Sequence, residues 1–185
     1  YGQAEIKSQF LLTIAKWIAN PSAKGLVLGI QGPPGVGKTT LIKDGLCAAL
    51  GLPLAFIPMG GANDASFLDG HSFTFEGSTY GQIVSALMGA RCMNPVLAFD
   101  EVDKVANNHR GNEVFNVLMH LSDTTQNDAF CDKYFADLPL DLSRAIQVYT
   151  FNDVTLIPPV LRDRMTCLSV KPYTAADKVH IVRDY

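Results

Sequence analysis

Apolar positions recur at two periods along this chain, and the two alternate. Ile6, Phe10, Ile14, Trp17 and Ile18 fall at helical spacing, so residues 5–19 read as an amphipathic helix that Asn20-Pro21 stops. Residues 26–30 form a short, continuously apolar run, which suits a strand covered on both faces. A helical pattern with Leu41, Ile42, Leu46 and Leu50 follows, and Gly51 and Pro53 break it. Residues 54–57 read as a second strand, and residues 59–80 as an irregular, glycine-rich stretch. Residues 81–91 read as a helix with Ile83, Val84, Leu87 and Met88 on one stripe. Residues 95–99 are a third buried strand, ended by Asp100-Glu101. Residues 102–111 read as a polar turn region, and residues 112–121 as a helix with Val114, Val117, Leu118 and Leu121 on one face. Residues 145–151, ending at Asn152, and residues 167–170 read as the fourth and fifth strands. Between them Pro158-Pro159 opens a short helical piece that ends in Arg162-Asp163-Arg164, and Thr174 with Asp177 has the form of a capping box starting a last helix.

Strands alternating with helices predict a parallel, doubly wound α/β sheet. Ligands in such sheets bind beyond the carboxyl ends of the strands. The stretch after the first strand, Asp100-Glu101 after the third and Asn152 after the fourth all lie just past strand ends. One fold therefore carries them to a common edge.

The stretch after the first strand is Gly32-Pro33-Pro34-Gly35-Val36-Gly37-Lys38-Thr39-Thr40. It has the spacing G-x-x-x-x-G-K-S/T between a strand and a helix, the setting of a phosphate-binding loop. Glycines let the backbone curl until successive N–H groups point inward, and the helix start adds unpaired donors and a positive dipole end. A nucleoside triphosphate is the ligand this suits: Lys38 reaches the β and γ phosphates, and the Thr39 hydroxyl takes a place on Mg²⁺. A plain glycine turn before an ordinary helix is the other reading, and the full pattern in its strand–helix setting argues against it.

Asp100, at the end of a buried strand, is placed to hold Mg²⁺ through its water shell. Glu101 directly after it is placed to orient a water and take its proton in line with the γ-phosphate of ATP. Two solvated turn acids are the alternative. Asn152, a neutral amide at the next strand end, can hold the attacking water, or it is simply an Asx-turn residue. Arg162 and Arg164 are candidates for a guanidinium supplied across a subunit interface, a contribution of about 10³–10⁵ in rate, or for surface solubility and a salt bridge with Asp163.

Length and composition change little of this. A chain of 185 residues with 48% hydrophobic content fits one domain with a sizeable core. With 15 basic and 18 acidic residues, there is no basic excess to suggest nucleic acid as a main partner. Cys47, Cys92, Cys131 and Cys167 are far apart, form no C-x-x-C pair, and read as small core residues in a reducing compartment. No apolar run is long enough to span a bilayer, and no signal peptide opens the chain. Since the first residue is Tyr1 and not Met, targeting is left open.

Together these stretches resemble an AAA+ ATPase, and more narrowly the ATPase module of the Lon protease family. The segments carrying the likeness are Tyr1-Gly2, the phosphate loop, Gly60-Gly61, Gly70-His71, NPVLAFDEVDK from Asn94, DLSRAIQVYTFN from Asp141 and IPPVLRDRM from Ile157. The resemblance implies a P-loop NTPase (AAA+) three-layer sandwich with a central five-stranded parallel sheet in the order 5-1-4-3-2. It makes residues 1–171 the large α/β subdomain and residues 172–185 the start of a small helical one. It implies a ring of copies, usually a hexamer, with ATP between neighbours and Mg²⁺ on Thr39 and Asp100. Asp100 and Glu101 become the Walker B pair, Asn152 the sensor-one residue, and Arg164, better than Arg162, the arginine finger. Tyr1 and Gly2 match a segment near the adenine. Phe75 matches an aromatic pore-loop residue that grips unfolded polypeptide; burial of Phe73 and Phe75 under the loop is the alternative. The pattern departs from the family at Ser72-Phe73, where a basic pair is usual, at Glu76, and at residues 121–127 against the family's LDPEQN. The implied function is ATP hydrolysis that unfolds or translocates polypeptide, as the ATPase part of an ATP-dependent Lon-like serine protease in the cytoplasm or an organelle matrix. A stand-alone remodeller or nucleotide-dependent assembly module is the alternative, and a DNA-acting AAA+ ATPase fits less well.

Overall fold

The computed structural model describes residues 2–20, 25–136 and 138–184. Tyr1, Pro21 and the side chain of Trp17 lie outside the described residues. Five strands form the central sheet: β1 (Val27–Gln31), β2 (Leu54–Pro58), β3 (Val96–Asp100), β4 (Ile146–Phe151) and β5 (Thr166–Ser169). All pairings in it are parallel, and the order across the sheet is β5-β1-β4-β3-β2, as the resemblance implies. A separate antiparallel pair joins Phe130–Cys131 to Pro139–Leu140.

The sheet is covered on both faces, because each inner strand is apolar at nearly every position and sends alternate side chains to opposite sides. On one face, Ile6 and Phe10 of α1 (Ala4–Ala19) pack with Ile42 and Leu46 on Leu28, Ile30, Val96, Ala98 and Val148. Ile42 and Leu46 belong to helix α2, which runs from Lys38–Thr40 through a wider π-wound stretch, Leu41–Cys47, into Ala48–Leu50. Gly51, at φ 65°, ends it in the left-handed region that glycine tolerates.

The other face is covered by α4 (Gln82–Ala90), α5 (His109–Ser122) and α6 (Pro159–Asp163), through Ile83, Leu87, Val114, Leu118, Leu121 and Leu161. They pack on Leu97, Phe99, Tyr149 and Phe151. Phe99 and Tyr149 are register partners across β3 and β4, and their rings stack at 5.0 Å. A last helix, α7 (Ala175–Asp184), opens on the expected capping box: Thr174 Oγ1 accepts from the Asp177 N–H at 3.2 Å, and Asp177 accepts from the Thr174 N–H at 2.9 Å. Among the described residues, no helix is long and apolar enough to cross a membrane.

Several local expectations need correction. The stretch after Glu101 is not wholly polar turn: Val102–Lys104 is a 3₁₀ turn that buries Val102 and Asp103. Helix α5 starts at His109, ahead of its apolar stripe, because the Asn108 side chain caps it by accepting from the Gly111 N–H at 2.9 Å. The glycine-rich stretch after β2 contains a short helix, α3 (Ser66–Asp69), that buries Leu68. Met88 is exposed although it shares the stripe of α4. Of the four free cysteines only Cys47 is a core residue. Cys167 is exposed on edge strand β5 and Cys131 on the small antiparallel pair.

One buried polar link ties the sheet to α5. Gln147, on β4, donates to the Leu121 carbonyl at 2.8 Å and accepts from the Tyr149 hydroxyl at 2.7 Å. Burial pushes the Tyr149 phenol well above the ordinary tyrosine range, so it stays a donor. Tyr149→Phe leaves the Gln147 oxygen unpaired in the core and is expected to cost about 1–3 kcal/mol. Thermal unfolding checks this, with a fall of about 2–4 °C expected per kcal/mol; an unchanged midpoint would count against the link.

Candidate nucleotide site

Between β1 and α2 the backbone turns twice through the left-handed region, at Gly35 (φ 75°) and Gly37 (φ 79°), where a side chain would be strained. Gly32 is needed for space: a Cβ there would lie 2.9 Å from the Val170 carbonyl oxygen. The curl leaves a cavity of about 270 Å³, lined by residues 34–40 from the loop and by Asp100, Glu101 and Asn152 from the ends of β3 and β4. Pro34, Gly35, Val36, Gly37, Lys38, Thr39 and Thr40 are thus brought together with the strand-end residues as expected. Gly32 and Pro33 do not line the cavity; their carbonyls face Lys38 from behind, at 2.5 and 3.4 Å from Nζ.

Lys38 joins the two halves of the site. Its ammonium donates to the Asn152 side-chain oxygen at 2.6 Å. Burial pushes the Lys38 pKa below the ordinary lysine value, and the carboxylates of Asp103, Asp100 and Glu101 push it back up. The Asx motif at this corner belongs to the next residue: Asp153 accepts from the Thr155 N–H at 2.8 Å. That leaves the Asn152 amide for the cavity.

The acids are held by a residue that sequence reasoning missed. Thr150, fully buried on β4, donates to Asp100 Oδ1 at 2.5 Å and accepts from the Glu101 N–H at 3.0 Å. One hydroxyl therefore sets both acids at the end of β3. Glu101 sits in the left-handed region (φ 57°, ψ 47°), which is costly for a residue with a Cβ and is commonest at functional positions. Asp103 was missed too. Its Oδ2 accepts from the backbone N–H groups of Asn152 and Asp153, at 3.1 and 3.3 Å. The signal available for Thr150 was a small polar residue next to the carboxyl end of a mostly apolar strand. Asp103 had none beyond its place two residues after Glu101.

The donor set fits a polyphosphate with a hard divalent cation: a curled loop that a Cβ would obstruct, one ammonium, the Thr39 hydroxyl and two strand-end carboxylates. Gly2 lines a second cavity of about 340 Å³ with Lys171 and Tyr173 among its walls. The Tyr173 hydroxyl lies 3.8 Å from where a Gly37 Cβ would stand, so this cavity adjoins the loop.

Two expected residues are elsewhere. Arg164 is not in the cavity of its own chain; it lies across the end of α5, donating to the Met119 carbonyl and to Asp123 Oδ2, the latter at 2.9 Å. Its ion-pair partner is Asp123 and not Asp163. The Asp123 carboxyl is held below the usual carboxylate range mainly by the Thr125 hydroxyl, with Arg164 a lesser cause. Phe75 is 66% exposed and Phe73 62% exposed, so neither is buried under the loop. That loop closes at its neck, where the His71 N–H donates to the Thr79 carbonyl at 3.1 Å and a Cβ on Gly81 would lie 2.0 Å from the Leu68 oxygen.

Residues 28–173 match the family described as ATPase family associated with various cellular activities (AAA). Over its full length the chain is 39% identical to a Lon protease homolog of Acanthamoeba polyphaga mimivirus and 37% identical to a mitochondrial Lon protease homolog of Schizosaccharomyces pombe. Over 88% of its length it is 43% identical to a Lon protease of Helicobacter pylori. It spans only 18%, 17% and 19% of these relatives, in that order. A match that runs from the first strand past the last, over a sheet of this order and a loop of this shape, leaves one assignment: the chain belongs to the AAA family of ATPases, as an AAA+ module resembling Lon.

Proposed function

We propose that this ATPase module is the motor part of an ATP-dependent Lon-like protease, working on polypeptide in a ring of identical copies. The observation that carries the reading is the 2.6 Å contact between Lys38 and Asn152 in a cavity rimmed by Asp100 and Glu101. Loop N–H groups hold the phosphates of ATP, and Lys38 exchanges the Gly32 carbonyl and Asn152 for phosphate oxygens. Thr39 and Asp100 would hold Mg²⁺, which would supply charge neutralisation to the bound polyphosphate. Asn152, once released from Lys38, orients the attacking water, and Glu101 takes its proton. Arg164 belongs to a neighbour's site: it lies at the end of α6 outside its own cavity, and it would exchange its contacts with Asp123 and the Met119 carbonyl for that neighbour's phosphates. The second cavity beside Gly37, with Gly2 and Tyr173, takes the base end of the nucleotide.

Phe75, at the tip of a closed-necked loop, is the contact to unfolded polypeptide, since an aromatic face grips extended chain without regard to sequence. Residues 172–185, with α7 behind its own capping box, begin a small helical subdomain. The relatives are named as proteases; the residues of this site serve ATP chemistry, and peptide cleavage is assigned to none of them. A second reading, an assembly module with little mechanical output, is favoured by Glu76 and by the lack of a basic pair before Phe75.

Glu101→Gln is expected to keep ATP affinity within about threefold and to lower turnover by about 10²–10⁴; a steady-state ATPase assay with parallel nucleotide titration checks it, and a normal rate would remove Glu101 as the base. Phe75→Ala is expected to abolish ATP-driven unfolding of a tagged test protein while ATP turnover persists. A protein that unfolds nothing before the change would favour the assembly reading.

A further inference from the structure

The sheet ladder ends before Asn152 on both sides. Strand β4 pairs with β3 only as far as Phe99 opposite Tyr149, and with β1 as far as Gln31 opposite Phe151. The Phe151 carbonyl makes the last sheet-edge bond, accepting from the Gly32 N–H at 3.1 Å. The next backbone N–H groups, of Asn152 and Asp153, have no strand to donate to, and both turn to Asp103 Oδ2. Asp103 is 8% exposed, and its second oxygen is buried without a hydrogen-bond partner. Satisfying two amides does not need a charge, since a neutral carbonyl accepts as well. Asp103, Asn152 and Lys38 thus form a chain of contacts from the turn after Glu101 to the phosphate loop.

We propose that Asp103 is a positioning residue for ATP hydrolysis: it replaces the sheet ladder where β4 ends and holds the Asn152 amide at a fixed place relative to Lys38 and Glu101. The proposal rests on the reading of Asn152 as the residue that orients water. Asp103 touches neither water nor phosphate and acts only through Asn152. Loss of the pin lets the amide wander, and a shift of about 1 Å at a reacting centre costs about 100-fold in rate.

The test measures kcat, KM and ADP affinity of the full chain carrying Asp103→Ala, Asp103→Asn, Asn152→Ala or the double change to Ala. Asp103→Ala is expected to lower kcat by about 10- to 100-fold with ADP affinity nearly unchanged. Asp103→Asn, which keeps a carbonyl acceptor for both amides, should recover most of that loss. The double variant should be no slower than Asn152→Ala alone, because the two residues act as one unit. A purely structural Asp103 would lower the melting temperature yet leave kcat of the folded fraction intact, and that result overturns the proposal, as does a double variant whose losses multiply. Normal turnover by Asn152→Ala overturns instead the reading of Asn152 beneath it. If Asp103→Ala does not fold, Asp103→Glu takes its place; it keeps the charge, moves the acceptor by one methylene, and should also turn over slowly with affinity retained.

Discussion

A lysine ammonium held among carboxylates at the open end of a parallel sheet is the interaction on which the site depends. Lys38 sits partly buried, and a buried cation is stable only when charges and acceptors surround it. These come from three elements: the Gly32 carbonyl of its own loop, the Asn152 amide from the end of β4, and the acids following β3. No single stretch of chain makes this environment. The strand order does, because β1, β4 and β3 are neighbours and all run the same way, so their carboxyl ends share one edge. The same edge is where sheet hydrogen bonding stops, and every freed N–H there must find a side chain. Thr150 and Asp103 are those side chains, one for Glu101 and one for Asn152.

Much of this was legible in the residue pattern, for physical reasons that differ by element. Strands β1, β3 and β4 are apolar at most successive positions because both faces are covered, and such runs stand out between glycines and acids. The phosphate loop was legible because three glycines, a lysine and a threonine have to occur at one spacing to curl a backbone around phosphate. Other features depend on contacts that local pattern does not carry. The start of α5 is set by the cap from Asn108 and not by apolar spacing. Asp103 reads as a turn acid in sequence, and only the fold shows it under the end of β4. The exposure of Cys167 beside buried Leu168 on edge strand β5 depends on the sheet order and on which face each side chain takes, neither of which its local pattern carries. For Phe73 and Phe75 the sequence left burial and exposure open, and the closed neck of their loop decides for exposure.

Two features fit the assembly proposed above. Arg164 is outside its own nucleotide cavity and ends in a half-buried ion pair with Asp123, while Phe75 projects from a loop with its ring largely open to solvent. In the ring proposed above both have a role: the arginine would meet the neighbour's phosphates, and the aromatic would meet a polypeptide at the centre. In the proposed mechanism, the charge that develops on the transferred phosphoryl group is what a guanidinium from a neighbouring copy would stabilise.

The central claim is that Lys38 exchanges its bond to Asn152 for the terminal phosphate, freeing the amide to hold water. A crystal structure of the chain with Mg²⁺ and a nonhydrolysable ATP analogue tests it most directly. The account predicts the Lys38 ammonium on phosphate oxygens, out of reach of the Asn152 oxygen, with an ordered water between Asn152 and Glu101. Phosphates bound in the loop while Lys38 still donates to Asn152, or a γ-phosphate with neither residue facing it, would contradict it.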